Sequence, residues 1–474
     1  MNTLLVDGGT VVTQNAERSV IENGAVVVED GTITAVGPSD SIAEDTAADR
    51  VVDASDHIVA PGFVDTHTHV SDILLRGRCG TDRGLYDWLF NVKQPGMSVM
   101  TAEDHELAAA LYASEAIRGG ITTVVENDAE VPIEDPEPID RKLDVYEIAG
   151  FRNYYARGIR DLPTDDEFSA LIERITAKEP SIDHPSQDRY IADIDDWIDH
   201  VETLFADYHG RDGRQEIWIA PVIVEGMTTE GLRASVEFAR RHDIMTTTHV
   251  AEAPEQEVGA LSSVEYLRNI GYLGEHTLLG HCVQVSDRDI RLLAETGTGV
   301  AHNIPSNLKL GNGFAPIPTM RSHGVTLGLG TDNSILSDTV NVLSDMRLTA
   351  LAHSGHYRDP GTLRAQEVLD MATIEAARSL RKGDQLGSIE PGKHADLVLV
   401  DTTGPHMTPA PDPVSALVYQ TLGSEVDVVV CDGEVILEDG RVESIQSAYP
   451  NLHERASVAS ERIAATSGLA ERGQ

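Results

Sequence analysis

Short apolar runs rich in β-branched residues alternate with longer amphipathic stretches over most of the chain. The runs lie near 59–66, 120–126, 151–158, 217–225, 244–249, 277–281, 299–303 and 325–331. Stretches with helical spacing of apolar residues intervene, as at 101–118, 232–241, 286–295 and 364–380. Parallel strands need a crossover helix between them, so eight such repeats favour a closed barrel. We therefore predict an α/β fold with a (β/α)8 TIM-like barrel over residues 59–383.

The two ends of the chain show a different pattern, in which β-branched runs are separated by tight turns. Asp-Gly pairs occur at 7–8 and 30–31, and again at 432–433 and 439–440. An Asp-Gly pair between β-branched runs is a strong hairpin signal. We predict that residues 1–58 and 384–445 form one small composite β-sandwich domain and that 446–474 is a C-terminal helical segment. The Asp-rich stretch 161–212 is predicted to be an insertion.

The charge balance excludes some partners. Asp and Glu number 78 against 36 Lys and Arg, which gives a formal net charge of −42. Such a surface repels polyphosphates, so we expect no nucleic-acid partner. No run approaches the ~18 apolar residues of a membrane span, so we expect no membrane partner either. An acidic, lysine-poor chain is typical of salt-loving archaea, where salt screens the repulsion; an ordinary acidic bacterial protein is the alternative.

Cysteine usage and the N-terminal residues bear on the compartment. The three cysteines, Cys79, Cys282 and Cys431, are far apart and odd in number, which argues against a disulfide framework. The N-terminus lacks both the basic start and the long apolar run of a signal peptide. We therefore predict a cytoplasmic protein.

Histidines stand where several predicted strands end. His67 and His69 are two residues apart on one strand, so both imidazoles point the same way. Four later strands end in similar residues: His249, His281, His302 and Asp332. The carboxyl ends of barrel strands converge on one mouth. Imidazole and carboxylate ligands suit zinc and iron alike, so the pattern predicts a metal centre there.

The motifs around these residues resemble the amidohydrolase superfamily. They are His67-Thr68-His69, His249-Val250-Ala251-Glu252, Gly280-His281-Cys282 and Gly330-Thr331-Asp332, with further similar segments at 306–313 and 387–397. Within the superfamily, the segments at 86–92, 120–123 and 330–333 are most similar to the branch of triazine hydrolases and purine-type aminohydrolases. The resemblance covers most of the chain.

The resemblance implies roles for six residues. One divalent metal ion, zinc or iron, would have four ligands: His67, His69, His249 and Asp332. The catalytic residues would be Glu252 as acid/base, with His281 and Asp332 beside the attacking water. Many two-metal relatives use a lysine at the end of the fourth strand, but no lysine lies between Lys178 and Lys309. Glu225 is left as an alternative bridge between two ions.

Five further residues are predicted to contact substrate: Trp88, Glu126, Asn127, His302 and Asn333. Trp88 would stack on a flat ring, although core packing explains it equally well. Glu126 and Asn127 end the second predicted strand and could hydrogen-bond an amino-substituted heterocycle. The expected partner is thus a small heterocyclic substrate, and we expect a homo-oligomer, namely a dimer.

The predicted reaction is hydrolytic removal of an amino group from a purine, pyrimidine or triazine ring. The alternatives are release of chloride or an alkylamine from a triazine, opening of a cyclic amide, and a catalytically silent barrel that only binds. Leu336 falls near the ring substituents where a dehalogenating relative carries a small polar residue. This apolar side chain favours amino-substituted over chloro-substituted substrates.

Overall fold

The computed structural model describes residues 3–80, 82–130, 135–161 and 191–469. Its strands are β1 Thr3–Val12, β2 Val20–Glu29, β3 Thr32–Pro38, β4 Arg50–Asp53, β5 His57–Pro61, β6 Phe63–His69, β7 Ile121–Asp128, β8 Arg152–Ile159, β9 Gln215–Pro221, β10 Thr246–Val250, β11 Glu257–Val258, β12 Leu261–Ser262, β13 Thr277–His281, β14 Gly299–His302, β15 Leu327–Leu329, β16 Asp332–Asn333, β17 Leu397–Asp401, β18 Val426–Cys431 and β19 Glu434–Leu437.

The described α-helices connect and flank these strands. They span Ser39–Ile42, Leu85–Trp88, Gln94–Met97, Ala102–Arg118, Glu137–Ala149, Ile194–Tyr208, Thr229–His242, Ser263–Ile270, Asp287–Thr296, Ile304–Lys309, Ile317–Ser322, Ser334–Ser337, Val342–Tyr357, Ala365–Ala372, Ile374–Ser379, Pro413–Tyr419, Glu443–Ala448 and Leu452–Thr466. None of them combines the length and the apolar character that crossing a bilayer requires.

A parallel barrel with eight strand positions forms the centre of the molecule. β6, β7, β8, β9, β10, β13 and β14 pair in this order. The eighth position is divided, because β15 pairs with β14 whereas β16 pairs with β6. Thr66 Oγ1 also donates to the Leu329 carbonyl at 2.8 Å, across the same junction. The predicted TIM-like barrel is thus confirmed.

The sequence explains why these strands are central. β6, β7 and β8 are buried along their whole length, as expected for parallel strands covered on both faces. Several crossover helices begin at side-chain caps. In Ala102–Arg118, Thr101 Oγ1 accepts from Asp104 N and Asp104 Oδ2 accepts from Thr101 N, a reciprocal pair that fixes the helix start.

A second sheet combines strands from both ends of the chain. Its order is β19-β18-β17-β5-β1-β2-β3, with β4 beside β1. This sheet encloses its own core, which includes Val11, Val26, Val59, Leu397 and Val430. Pairing of early with late strands therefore ties the two ends of the chain together.

The element boundaries differ from the predicted ones at two places. The run 59–66 is divided, since β5 belongs to the second sheet and β6 begins the barrel. Gly62 lies at the junction, where a Cβ atom would stand 2.3 Å from Thr122 Oγ1, so only glycine fits. Within 384–445, helix Pro413–Tyr419 packs against the barrel helices Val342–Tyr357 and Ala365–Ala372.

The remaining segments flank the barrel. The C-terminal helix Leu452–Thr466 packs against Ala102–Arg118, where Arg462 pairs with Asp104. In the predicted insertion 161–212, helix Ile194–Tyr208 packs against β9. Residues 162–190 of that stretch lie outside the described residues.

Candidate active site

The ends of β6, β10 and β16 bring four candidate metal ligands together. His69 Nε2 lies 3.1 Å from His249 Nε2. Asp332 Oδ1 lies 3.6 Å from His67 Nε2 and 3.5 Å from His69 Nε2. One nitrogen each from His67, His69 and His249 thus falls within 4.8 Å of the other two. The side chains of these four residues therefore converge on one point, as ligands of a shared metal ion must.

The backbone at this end of the barrel adopts unusual conformations. Asp332 has a backbone φ of 56° and His281 a φ of 69°, values that residues other than glycine rarely adopt. Gly330, between β15 and β16, allows the backbone to pass close to β6, since a Cβ atom at this position would stand 2.9 Å from His67 Cβ. Such conformations cost about 1–3 kcal/mol each and occur preferentially at functional sites.

Burial sets the protonation states of the four side chains. Burial lowers the pKa of His67 and of His249 well below the usual histidine value, and it also lowers that of His69. These imidazoles are therefore neutral, the form that binds metals. Burial alone would raise the pKa of Asp332, but His281, His69 and a hydrogen bond from Ser306 lower it, so the net shift is downward and the carboxylate is ionised.

The donor set fits one divalent metal ion. Both ring nitrogens of His67 and Oδ2 of Asp332 are buried without a hydrogen-bond partner among the described residues. Buried polar atoms without partners are costly, which is consistent with a site completed by a ligand. Three imidazoles and one carboxylate suit zinc or iron.

Neighbouring groups orient the candidate ligands. His249 Nδ1 donates to the Val222 carbonyl at 2.6 Å, and His69 Nδ1 lies 3.4 Å from Asp128 Oδ1. In both rings Nε2 is thereby left to face the metal position. Asn333 Nδ2 donates to Asp332 Oδ1 at 2.7 Å, and Asn333 Oδ1 accepts from Lys93 Nζ at 2.6 Å.

Glu252 and His281 lie next to this cluster. His281 Nε2 is 3.7 Å from Glu252 Oε2 and 4.0 Å from Asp332 Oδ2, while its Nδ1 donates to Asn307 Oδ1 at 2.9 Å. Asn312 Nδ2 donates to Glu252 Oε1 at 3.0 Å. Burial raises the pKa of Glu252 to about 7, so the carboxyl exchanges a proton near neutral pH. A group with such a pKa suits acid/base catalysis.

A cavity of about 150 Å³ opens over these residues. One wall is apolar and comprises Leu85, Tyr86, Trp88, Leu89, Phe90 and Met97. A π-helical turn at Leu89–Lys93 interrupts the helical segment of this wall, a feature common at functional sites. Trp88 Nε1 and Asn127 Nδ2 have no hydrogen-bond partner in the described part of the chain. Both residues line the cavity, as does Asn333.

Three residues expected near the substrate lie elsewhere. Glu126 is one layer deeper in the barrel than Asp128, because residues two apart on a strand share a face; it contacts Lys142, and Tyr146 Oη donates to it at 2.7 Å. His302 Nε2 lies 3.1 Å from His353 Nε2, so it faces an outer helix. Leu336 belongs to the hydrophobic core, so its side chain gives no support to the expected preference for amino-substituted over chloro-substituted substrates.

Several neighbours of the site escaped the sequence analysis: Asp128, Lys142, Asn312 and Arg160. Asp128 and Arg160 line the cavity, and Asn312 bonds Glu252. Asp128 directly follows the predicted second strand and so carried the same strand-end signal as Asn127. Lys142 and Asn312 come from a helix and a loop, where no short-range pattern points to the barrel mouth.

Comparison with known proteins places this geometry in a family. The sequence profile of the Amidohydrolase family matches residues 58–436. The chain belongs to the amidohydrolase family. It is 34% identical over 447 residues to a 5-methylthioadenosine/S-adenosylhomocysteine deaminase of Symbiobacterium thermophilum, with 93% of this chain and 94% of the relative covered. It is also 32% identical to an S-triazine hydrolase of Gordonia rubripertincta, with 98% and 96% covered.

A solved amidohydrolase structure gives the same result for the fold. The zinc-bound adenosine deaminase from Xanthomonas campestris superposes with a TM-score of 0.84 at 28% identity, covering 97% of this chain and 98% of that protein. The relatives therefore include both deaminases of adenosine-type compounds and a triazine hydrolase. The similarity extends over nearly the whole chain.

Proposed function

We propose that this amidohydrolase is a metal-dependent aminohydrolase that removes an amino group from an N-heteroaromatic ring. The observation that carries the proposal is the line of Glu252, His281 and Asp332 beside the ligand cluster, with successive separations of 3.7 and 4.0 Å. The relatives that deaminate adenosine-type compounds support an amino leaving group. The triazine hydrolase supports a six-membered nitrogen ring more generally.

In this proposal His67, His69, His249 and Asp332 hold one divalent ion, zinc or iron. Such an ion lowers the pKa of a bound water from ~15.7 toward ~7 and so supplies the nucleophile at neutral pH. The zinc in the adenosine deaminase from Xanthomonas campestris supports zinc for this chain. Glu225 is not used as a bridge in this proposal, since it does not belong to the groups of converging ligand atoms around His67 among the described residues.

The side chains of this chain then move the protons. His281 and Asp332 accept the proton of the attacking water, while Glu252 donates one to the ring nitrogen next to the carbon under attack. A new C–O bond forms, and the proton held by the base passes to the amino group. The C–N bond breaks and ammonia leaves while the new hydroxyl group returns a proton to Glu252, which leaves a ring carbonyl and regenerates the acid. An acid/base group of this kind contributes about 10²–10⁴ in rate.

The cavity walls position the ring. Trp88 offers an aromatic face and an indole N–H, and Asn127 offers an amide N–H, to a flat heterocycle that carries its own acceptors. Asn333 combines two tasks, since it lines the cavity and donates to Asp332. Glu126 and His302 have no substrate contact in this proposal.

The test is a paired assay on one ring with two leaving groups. The zinc-loaded protein is given adenosine and 6-chloropurine riboside, and then an amino- and a chloro-substituted triazine, while ammonia and chloride are measured. We expect ammonia release to be faster at equal substrate concentration, with chelator-treated protein as the blank. Faster chloride release would contradict the proposal. It would favour the second candidate, a triazine hydrolase that releases chloride or an alkylamine. The similarity to the S-triazine hydrolase of Gordonia rubripertincta supports that candidate.

A further inference from the structure

Below the candidate metal centre lies a group of buried charges that the proposed reaction does not use. Lys142 is fully buried on helix Glu137–Ala149. Its Nζ is 2.8 Å from Asp128 Oδ2 and 2.7 Å from Glu130 Oε1, and it also contacts Glu126. Arg157 Nη1 lies 3.0 Å from the other oxygen of Glu130. We call these five residues the Lys142 cluster.

The charges of the Lys142 cluster balance only while Lys142 is present. Burial raises the pKa of Glu126 to about 8, with Lys142 acting in the opposite direction, so the carboxyl is largely protonated at neutral pH. Two anions, Asp128 and Glu130, then face two cations, Lys142 and Arg157. Removing one partner of a buried ion pair leaves an uncompensated charge, which is strongly unfavourable.

Asp128 connects the Lys142 cluster to the metal centre. Its Oδ2 accepts from Lys142 Nζ at 2.8 Å and from the Ser71 backbone N–H at 3.1 Å. These two donors fix the carboxylate, and its Oδ1 is directed at His69 Nδ1, 3.4 Å away. A carboxylate on one ring nitrogen of a metal-binding histidine fixes the tautomer and aims the other nitrogen at the ion.

We propose that Lys142 is a positioning residue of the metal centre, acting through Asp128 on His69. The inference rests on the proposed function only in that His69 binds a metal ion. Without Lys142 the Asp128 carboxylate loses one of the two donors that fix it, and with it the buried cation that balances its charge, so it holds His69 less firmly. Outer groups of this kind typically change metal affinity by about 10–100-fold.

The experiment measures metal binding rather than turnover alone. Lys142→Met, Asp128→Asn and the double variant are stripped of metal and titrated with Zn²⁺ against a chelating dye. Each single variant is expected to bind Zn²⁺ about 10–100-fold more weakly than the unchanged protein. The double variant should bind no more weakly than the poorer single one, because both substitutions interrupt one connection. Co²⁺-loaded samples should show a changed visible spectrum, which reports on the ligands directly.

Arg152→Met is the matched control. Arg152 lies at the start of β8, away from the metal centre, and the substitution removes the buried cation that pairs with Asp396. It should lose thermal stability but bind Zn²⁺ normally. Normal Zn²⁺ affinity and an unchanged Co²⁺ spectrum in Lys142→Met would overturn the proposal and make Lys142 a purely structural residue. If Lys142→Met does not fold, Asp128→Asn decides by the same two measurements.

Two other results have separate meanings. A raised KM in Asp128→Asn with normal Zn²⁺ affinity would make Asp128 a substrate contact and overturn the positioning role. Failure of the unchanged protein to bind either ion would overturn the metal centre itself and the proposed function with it. Normal binding by Lys142→Met leaves that function intact, so the two failures are distinguishable.

Discussion

Two buried side chains at opposite ends of the barrel, Arg152 and His67, differ in their hydrogen bonding. At the amino-terminal end Arg152 is fully paired, because it donates to both oxygens of Asp396, to Asp432 and to the Gly213 carbonyl. At the carboxyl end, both ring nitrogens of His67 lack hydrogen-bond partners among the described residues. Pairing of a buried group stabilises the fold, whereas a buried group without partners is available to a ligand.

The backbone follows the same division. β8 starts beside Arg152 with regular parallel pairing to β7 and β9. At the opposite end His281 and Asp332 have positive φ values. At the candidate site, positive φ values and missing hydrogen bonds therefore coincide, whereas around Arg152 the pairing is regular; in barrels of this type the first end usually carries the chemistry and the second the stability. This contrast can be tested with matched substitutions.

The largest effect is expected from Asp332→Asn compared with Asp396→Asn. The first removes the negative charge that balances a bound cation, so we expect loss of metal and of ammonia release. The second weakens the pairing with Arg152, so it should keep metal and catalysis but melt at lower temperature. Metal content per chain, product formation and melting temperature are measured on all three proteins. Equal metal content in the two variants would remove the distinction between the ends.

The next largest effect is expected from Glu252→Gln. The amide has the shape of the acid but cannot deliver its proton, so kcat should fall by about 10²–10⁴ while the bound metal stays. Glu375→Gln is the control, because this half-buried carboxylate accepts from Leu327 N at the start of β15, at the other end of the barrel. A full rate in Glu252→Gln would show that this carboxyl is not the proton donor.

A smaller effect, on stability alone, is expected from Arg152→Met. Leaving Asp396 buried without its partner should lower the free energy of unfolding by about 3–5 kcal/mol. The turnover number per folded molecule should not change, because no group at the mouth moves. Denaturant titration and steady-state kinetics on the same sample separate the two quantities. A reduced kcat in the folded variant would mean that the two ends are coupled.

The smallest effect for each charged group is expected from salt, because salt screens charges over the whole surface rather than changing one site at either end of the barrel. With a formal net charge of −42, screening should raise the melting temperature as KCl increases. The Debye length falls from about 10 Å at 0.1 M to about 3 Å at 1 M salt. Sorbitol at matched osmolality is the control for general solute effects. A flat or falling melting temperature would contradict the prediction of a salt-adapted protein.

The local pattern of the sequence was sufficient for much of the architecture and for the candidate ligands. Alternating apolar runs and amphipathic stretches predicted the barrel, since parallel strands are buried on both faces. His67, His69, His249 and Asp332 could be recognised because each ends a strand, and strand ends meet at one mouth. Asp-Gly turns at both chain ends similarly indicated the second sheet.

Only the tertiary structure decided which other side chains reach the site. Glu126 and Asp128 share a strand face and both contact Lys142, yet only Asp128, two residues further along the strand, also lines the cavity and reaches His69. His302 ends a strand like His281 but faces His353 on an outer helix. Lys142 approaches from a helix that carries no signal of its own. Periodicity specifies the face of an element, whereas depth and neighbours depend on how separate elements pack together.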